Sequence, residues 1–438
     1  MLGLSRGGNV VRRGRRGGAD MPSRTHYGWY ILLLAVLAVF CALGLGRFGY
    51  GMVLPAMQSA LGLSNTQTGL LQSWNLFGYL VVVAWAGALA TRIGPRRVIA
   101  AALVLVGVSM LATGAAAGFR GTCVARFLTG VGGAAANVPA MGLLAAWFAP
   151  RRRGLAAGVA VAGSSVGLAF SGLVVPRALT ATPNDGWRLC WQLFGLLTLL
   201  IAVLCAVFLR NRAADLGLGR IGEAPAAAAP GSVPDGTAAG PVPLVFSPYL
   251  WRLGTVYFAY GFSYILYTTY FVKYLRTGLG QSASQAGALW FQIGLASAFS
   301  ALLWGVISDR WERRRVIALV FALQGCSYLA VGMNTGLAGA YLSAGLFAAT
   351  AWSIPALMAA VCGDAYGARL APAALGLVTL AFGVGQVIAP VAGGWLADRT
   401  AAFHASFLLA AASAWILGCV GTVMLLPAAR REPAQRPG

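Results

Sequence analysis

Long apolar stretches recur along this chain, and they constrain its fold more than any other feature. Each stretch is long enough to form a membrane-spanning helix, which needs about 20 residues to cross ~30 Å of hydrocarbon. The strands of a membrane barrel would instead alternate in segments of about ten residues. Twelve such stretches predict an all-α membrane protein, and they begin near Tyr27, Thr68, Val98, Thr122, Gly154, Trp187, Tyr249, Ala283, Val316, Leu337, Ala373 and Ala402.

The distribution of basic residues agrees with this prediction. With 59% hydrophobic and 10% charged residues, the chain is too apolar for an ordinary soluble protein. Its net charge of +22 does not indicate nucleic acid as a partner, because most of the 32 Lys and Arg residues fall in alternate loops between the predicted helices. Arg126 belongs to the few on the other side. This bias follows the positive-inside rule, so the expected partner is a lipid bilayer, with both termini in the cytoplasm.

An Ala-, Pro- and Gly-rich segment divides the twelve stretches into two groups of six. The sequence GEAPAAAAPGSVPDGTAAGPVP shows no amphipathic period, so the chain between Asn211 and Ser247 is predicted to be a disordered linker. The predicted organisation is a basic cytoplasmic tail (1–26), an N-terminal six-helix bundle (27–210), a cytoplasmic linker (211–248), a C-terminal six-helix bundle (249–426) and a cytoplasmic tail (427–438).

The two groups of helices are internal repeats. The sequence GALATRIGPRR at 87–97 recurs as GVISDRWERRR at 305–315. The same offset superimposes Gly158 on Gly376 and Gly167 on Gly385. Agreement at three separate places predicts two bundles related by an axis along the membrane normal.

The first copy of this repeat resembles the signature loop of the major facilitator superfamily (MFS), G-x-L-x-D-R-x-G-R-[RK]. Thr91 stands where that pattern has its acid, whereas the second copy keeps the acid as Asp309. The stretch ARFLTGVGGAAANVP is similar to the fourth-helix R-x3-G pattern of the family through Arg126 and Gly130. The matching positions in the first loop are Gly87, Leu89, Arg92, Gly94, Arg96 and Arg97.

The resemblance covers nearly the whole chain, from about residue 27 to 426, and implies the MFS fold of twelve transmembrane helices in two six-helix bundles. GLGRFGYGMVLPAM and SWNLFGYL resemble the YbfB/YjiJ branch, whereas residues 363–400 are similar to the monocarboxylate and oxalate/formate carriers. The charged loops of such a fold are expected to favour one facing state. The predicted conformational latch comprises Gly87, Arg92, Arg96, Arg97, Asp309, Arg310 and Arg314.

Arg47 lies inside the first apolar stretch, in LGLGRFGYGMVLPAM. A charged side chain within hydrocarbon costs about 2.5 to 3.5 kcal/mol, so its presence favours a function. The resemblance adds that organophosphate exchangers of the superfamily place an anion-binding arginine at a similar R-x7-P distance before a proline, here Arg47 to Pro55. The alternative is a structural arginine that pairs with backbone carbonyls or with a neighbouring helix.

The positions of the acidic residues indicate the charge of the substrate. None of the ten Asp and Glu residues lies near the middle of a predicted helix. A buried arginine without a carboxylate of its own can hold a substrate carboxylate through two hydrogen bonds. The same distribution argues against organic cations as cargo and against a proton relay through carboxylates. One buried cation favours a monoanion, such as a small monocarboxylate, over a phosphate ester, although Lys273 near the external end of the seventh helix is a further cation.

Tyrosines repeat along the seventh helix, in TVYFAYGFSYILYTTYFVKYL. At ~100° per residue they cover about one third of the helix circumference. Tyr257 and Tyr274 lie near the helix ends and are expected to anchor at the membrane interface. Tyr260, Tyr264 and Tyr267 either line a cavity or share that anchoring role.

Polar residues on the other helices complete the predicted site. Asn75 and Tyr79 lie one turn apart on the second helix, and Asn137 lies on the fourth. They either donate hydrogen bonds to an anion or bridge neighbouring helices, which is the commoner role of a buried asparagine. The predicted substrate-binding residues are Arg47, Tyr50, Asn75, Tyr79, Asn137, Tyr260, Tyr264 and Tyr267.

These features predict a secondary active transporter and not an enzyme, because no Ser-His-Asp or metal-binding constellation occurs in the membrane core; no cofactor or metal is expected. The predicted function is alternating-access movement of a small organic anion across a bacterial inner membrane, with a proton or a counter-anion as coupling partner. The resemblance implies a monomer. The alternative of the same fold is a multidrug or metabolite efflux transporter with neutral or apolar cargo.

Overall fold

The computed structural model describes residues 25–223 and 244–426, and these form twelve long helices. Each helix begins within about one turn of the predicted position, so the predicted all-α membrane fold is confirmed. Residues 1–24 and 427–438, which hold the predicted tails, lie outside the described residues. The helices are α1 (Gly28–Leu61), α2 (Asn65–Ile93), α3 (Pro95–Ala115), α4 (Phe119–Trp147), α5 (Pro150–Ala181), α6 (Gly186–Phe208), α7 (Pro248–Lys273), α8 (Ala283–Arg310), α9 (Arg313–Gly332), α10 (Gly336–Gly367), α11 (Leu370–Thr400) and α12 (His404–Leu425).

One helix, α7, differs from the other eleven in composition. Those eleven are long and apolar enough to span a membrane, whereas α7 carries many Tyr and Thr residues. Every residue of α7 from Tyr260 to Lys273 is buried, so this part of the helix faces protein and not lipid. Its polar groups therefore find protein partners; Tyr270, for example, donates its hydroxyl to the carbonyl oxygen of Pro390 at 2.6 Å. A helix buried on all sides can be more polar than one exposed to hydrocarbon.

Helices α1–α6 and α7–α12 form two halves, which meet mainly where α2 packs along α11 and α5 packs along α8. We call the end of the molecule near residues 210–223 and 244–248 the linker end, and the opposite end the far end. The repeat is visible in the packing: a Cβ at Gly167 would overlap the backbone of α1 at Gly44, and a Cβ at Gly385 would crowd the backbone of α7 at Phe258. Small residues thus let equivalent helices approach closely in both halves.

Part of the predicted linker is ordered, which corrects the sequence analysis. Residues 213–216 form a 3-10 turn, and Ile221 is buried. The Ile221 N–H donates to the carbonyl oxygen of Trp147 at 2.9 Å, and the Ala149 N–H donates to the carbonyl oxygen of Ile221 at 3.0 Å. An apolar side chain and free backbone groups at the α4–α5 turn hold this segment. The low-complexity part, residues 224–243, lies outside the described residues.

Irregular backbone occurs near the middle of α1 and α10, as it also does in α8 and α12. In α1, residues Phe40–Phe48 form a π-helical stretch, a form often found at functional sites. In α10, the helix is interrupted at Ala351 and Trp352. Gly367, at the junction of α10 and α11, has a φ of 67° that favours glycine. The first two irregularities place Arg47 and Trp352 beside the interface between the halves.

A candidate binding cavity between the halves

A cavity of about 220 Å³ lies between the two halves. Its wall contains residues of α1, α2, α4 and α5 on one side and of α7, α10 and α11 on the other, the arrangement expected for a ligand shared by both halves. The residues that line it are Leu43, Arg47, Phe48, Leu76, Tyr79, Leu80, Val83, Asn137, Val161, Ser164, Tyr257, Tyr260, Tyr264, Trp352, Pro355, Thr379, Phe382, Gly383 and Gln386.

Arg47 is the charged residue of this wall. Its side chain is 6% exposed, and its guanidinium carbon lies 4.3 Å from the ring centroid of Tyr79. Atoms Nε and Nη2 find no hydrogen-bond partner in the described part of the chain. No carboxylate of the described residues pairs with it. Arg47 therefore has unused donors at the edge of the cavity, which suit a carboxylate oxygen.

A second arginine, Arg126, is also buried. Its count among the basic residues on the external side was wrong, whereas its place in the fourth-helix pattern agrees with the structure: Arg126 lies inside α4 and is 0% exposed. Its Nη1 donates to the carbonyl oxygen of Gly46 at 2.7 Å, and its Nη2 donates to Oε1 of Gln72 at 2.8 Å. A fourth helix that begins near Thr122 already contains Arg126, and in the structure this helix begins at Phe119. The R-x3-G spacing from Arg126 to Gly130 was the sequence signal for a helical position.

Four predicted residues besides Arg47 line the cavity. Asn137 donates its side-chain amide to the Tyr79 hydroxyl at 3.0 Å. Tyr260 donates its hydroxyl to the Ala351 carbonyl oxygen at 2.5 Å. Tyr264 accepts a hydrogen bond from the side-chain amide of Gln386.

Three predicted site residues lie outside the cavity wall. Tyr50 is buried against Arg126 and donates its hydroxyl to the carbonyl oxygen of Thr68 at 2.7 Å. Asn75 donates to the carbonyl oxygen of Arg126 at 3.1 Å, which is the helix-bridging alternative. Tyr267 points into the α7–α12 half, where it accepts a hydrogen bond from Ser343 at 3.0 Å. Helical spacing alone did not separate these buried faces from the cavity face.

Phe48, Tyr257 and Phe382 were not predicted to line the wall, and together with Trp352, a weaker candidate from the sequence, they form an aromatic surface. Phe382 of α11 stacks on Tyr257 of α7 with ring centroids 4.5 Å apart. Tyr257 therefore lines the cavity and is not an interfacial anchor. Phe48 and Trp352 complete the aromatic set, with ring centroids 5.1 Å apart. Apolar aromatics carry no special signal in a chain this hydrophobic, so Phe48 and Phe382 could not be singled out from the sequence.

The predicted latch residues make contacts within single halves. Arg96 donates its Nε to the carbonyl oxygen of Ala206 at 2.8 Å. Asp309 pairs with Arg313 at 3.5 Å, and Arg314 donates to the carbonyl oxygen of Leu426 at 3.1 Å. The remaining members are Gly87, whose Cα faces open space apart from Val138, and the arginines 92, 97 and 310, which form no ion pair with described residues. Their role in switching stays a prediction.

Polar contacts between the halves occur at the far end, where the sequence analysis predicted none. Asp398 of α11 accepts from the N–H groups of Asn65 and Thr66, at 2.9 and 2.8 Å, and from the Thr66 hydroxyl at 2.6 Å. Lys273 of α7 donates to the side chains of Gln58 and Asn65. Lys273 is thus engaged at the far end and does not line the cavity.

Comparison with known proteins gives the family of this chain. Residues 39–422 match the family described as "Uncharacterised MFS-type transporter YbfB". The probable sulfoacetate transporter SauU of Cupriavidus necator is 26% identical over 86% of this chain and 90% of its own length. The 4-hydroxybenzoate transporter PcaK of Pseudomonas aeruginosa is 31% identical over 71% of this chain and 72% of its own length.

Solved structures share the fold. A bacterial homologue of the human lysosomal transporter Spinster, in an inward-facing and occupied conformation, aligns with a TM-score of 0.70 at 16% identity and covers 92% of this chain and 97% of its own. A D-xylose–proton symporter aligns with a TM-score of 0.69 at 16% identity and covers 90% and 98%. The chain is a multi-pass membrane protein that belongs to the major facilitator superfamily of transporters.

Proposed function

We propose that this chain carries a small organic monoanion, most simply a monocarboxylate, across a bacterial inner membrane and binds its acid group at Arg47. The observation that carries the proposal is the pair of unused donors on Arg47, in a cavity shared by both halves and free of carboxylates among its lining residues. An anionic substrate would supply the missing partner for this charge.

The surroundings of the other buried cations support a single negative charge on the substrate. Arg126 donates hydrogen bonds from Nη1 and Nη2 to Gly46 and Gln72, and Lys273 donates from its ammonium group to Gln58 and Asn65. One guanidinium is therefore left to face the cavity. The names of the relatives, which include carriers of sulfoacetate and 4-hydroxybenzoate, also favour an organic acid.

The proposed mechanism is alternating access by the bundles 27–210 and 249–426, with both termini in the cytoplasm. The halves are joined by hydrogen bonds at the far end, so this arrangement corresponds to closure on the external side. Rocking about the cavity would break those contacts and form new ones at the linker end, where the predicted latch residues lie. A proton carried with the substrate or a counter-anion would couple the cycle.

Uptake into proteoliposomes tests the proposal. Wild-type protein, Arg47→Gln and the control Arg120→Gln, which removes an exposed charge at the far end, would be given labelled monocarboxylates, dicarboxylates, phosphate esters and neutral amino acids. We expect uptake of a monocarboxylate by the wild type and the control, and at least a tenfold loss in Arg47→Gln. Equal uptake by all three proteins would make Arg47 structural, and uptake of neutral compounds alone would favour the efflux alternative.

A further inference from the structure

We infer that the body of the substrate is a flat aromatic ring, so that the cargo is an aromatic monocarboxylate with its acid group on Arg47 and its ring against the aromatic wall. This inference rests on the proposed function, since it takes Arg47 as the partner of the acid. It adds a substrate class that the charge of the cavity alone does not specify.

The polar side chains of the wall each make at least one hydrogen bond within the protein. Asn137 is bonded to Tyr79, and Gln386 is bonded to Tyr264. The hydroxyls of Tyr260, Ser164 and Thr379 donate to backbone carbonyl oxygens. A sugar acid buried here would need partners for several hydroxyls and would have to compete with these hydrogen bonds, which weakens binding. The cavity therefore favours a substrate whose only strongly polar group is its carboxylate.

Four rings of the wall form a nearly parallel stack. Phe382 lies at 18° to Tyr257, 12° to Tyr260 and 5° to Tyr264. The indole of Trp352 stands at 74° to the Tyr264 ring, with centroids 6.2 Å apart. Such a wall offers both ring faces and ring edges, the two arrangements that aromatic partners prefer.

The rest of the wall and the size of the cavity suit a substrate that contains a single ring. The other lining side chains include Leu43, Leu76, Leu80, Val83 and Val161, which form no hydrogen bonds. The volume of about 220 Å³ lies below the roughly 300–1,000 Å³ typical of sites for drug-sized ligands. A single ring bearing a carboxylate suits this size and this apolar lining.

A competition experiment separates the ring from the charge. Unlabelled benzoate, cyclohexanecarboxylate, hexanoate and glucuronate carry the same charge and would compete with labelled benzoate for uptake into proteoliposomes. We expect benzoate to compete at concentrations at least tenfold lower than cyclohexanecarboxylate, and glucuronate to have no effect. Equal competition by benzoate, cyclohexanecarboxylate and hexanoate would overturn the inference while leaving the anion proposal intact, whereas no uptake of any carboxylate would refute the proposed function itself.

A variant pair locates the selectivity in the aromatic wall. Phe382→Leu removes the central ring of the stack, and Phe299→Leu removes an exposed ring on α8 as the matched control. We expect Phe382→Leu to reduce the preference for benzoate over cyclohexanecarboxylate to less than threefold while uptake of cyclohexanecarboxylate persists. The control should keep the wild-type preference. An unchanged preference in Phe382→Leu would contradict the assigned role of the stack.

Discussion

Arg47 and Arg126 are residues of one type with opposite surroundings. Both are buried in the α1–α6 half and both lie over aromatic rings, Tyr79 for Arg47 and Tyr50 for Arg126. Arg126 uses two guanidinium nitrogens to join α4 to α1 and α2 through Gly46 and Gln72. Arg47 leaves Nε and Nη2 unused beside the cavity. The first arrangement stabilises the bundle, whereas the second is suited to a ligand.

This difference predicts that substitution by lysine destabilises the protein at Arg126 but has little effect on stability at Arg47. Arg126→Lys keeps the charge but cannot reach both acceptors, and a lost hydrogen bond to a charged group costs about 1.5–3 kcal/mol. Arg47 already leaves Nε and Nη2 without partners, so we expect the unfolding free energy of Arg47→Lys to change by less than about 1 kcal/mol. Chemical unfolding of both variants in detergent measures the contrast. Equal destabilisation of the two proteins would show that Arg47 is also a structural residue.

The sequence was sufficient to find Arg47 but not to select its neighbours. An arginine within an apolar stretch is conspicuous, and its place beside the cavity follows from the first helix lining the interface. Tyr79, Asn137 and Tyr264 line the cavity, but Asn75 and Tyr267 point to other faces because their rotation depends on helix packing. Phe382 was not predicted, since only the three-dimensional stack distinguishes it from the other phenylalanines.

Among the elements, α2 and α4 show how small residues determine helix packing. A Cβ at Gly130 of α4 would overlap the carbonyl oxygen of Asn75 on α2. The same close approach lets Asn75 donate to the carbonyl oxygen of Arg126. Gly142 lies further along α4, is exposed and has open space where a Cβ would stand. One helix therefore carries a glycine that packing requires and a glycine that it does not.

Alanine substitutions at these two glycines should have effects of opposite sign. Gly130→Ala forces α2 and α4 apart, and overpacking of this kind costs typically about 1–3 kcal/mol. Gly142→Ala meets no neighbour and reduces backbone freedom in the unfolded chain, which stabilises by roughly 0.4–1 kcal/mol. Thermal unfolding of the two variants in the same detergent provides the comparison. A stable Gly130→Ala variant would mean that the two helices can separate without loss of packing.

Element positions were the most predictable property of the chain, because a membrane-spanning helix needs a long apolar stretch and leaves few alternatives. The prediction of a disordered linker failed at residues 211–221, because short-range contacts and not an apolar stretch hold this part of the chain. Ile221 is held by backbone hydrogen bonds at the α4–α5 turn and by burial of one side chain. Contacts of this kind leave no periodic pattern in the sequence.

At the scale of the whole molecule, the contacts between the halves are unevenly distributed. Asp398 reaches across the far end to the first backbone N–H groups of α2. Near the middle, the indole N–H of Trp352 donates to Ser165 at 2.7 Å. At the linker end, the ion pairs of the described residues remain within one half, as for Asp309 and Arg313. Closure of the far end therefore depends on a few polar contacts, and Asp398 supplies three of them.

Asp398→Asn should shift the molecule toward a far-end-open state. A carboxylate at a helix N-terminus contributes about 1 kcal/mol, so its loss should change the ratio of closed to open molecules roughly fivefold. Spin labels at the exposed positions 184 and 284, placed on opposite halves at the far end of a chain with its seven cysteines replaced, report their separation by pulsed electron paramagnetic resonance. We expect Asp398→Asn to increase the population of long distances.

Asp309→Asn is the matched control for this experiment, because it makes the same chemical change at an exposed pair within one half. We expect its distance distribution to equal that of the unsubstituted chain, since no contact between the halves is lost. A broadened distribution in both variants would indicate general destabilisation of the fold. An unchanged distribution in Asp398→Asn would show that helix packing, such as the close approach of Gly172 to Gly287 between α5 and α8, closes the far end without help from the carboxylate.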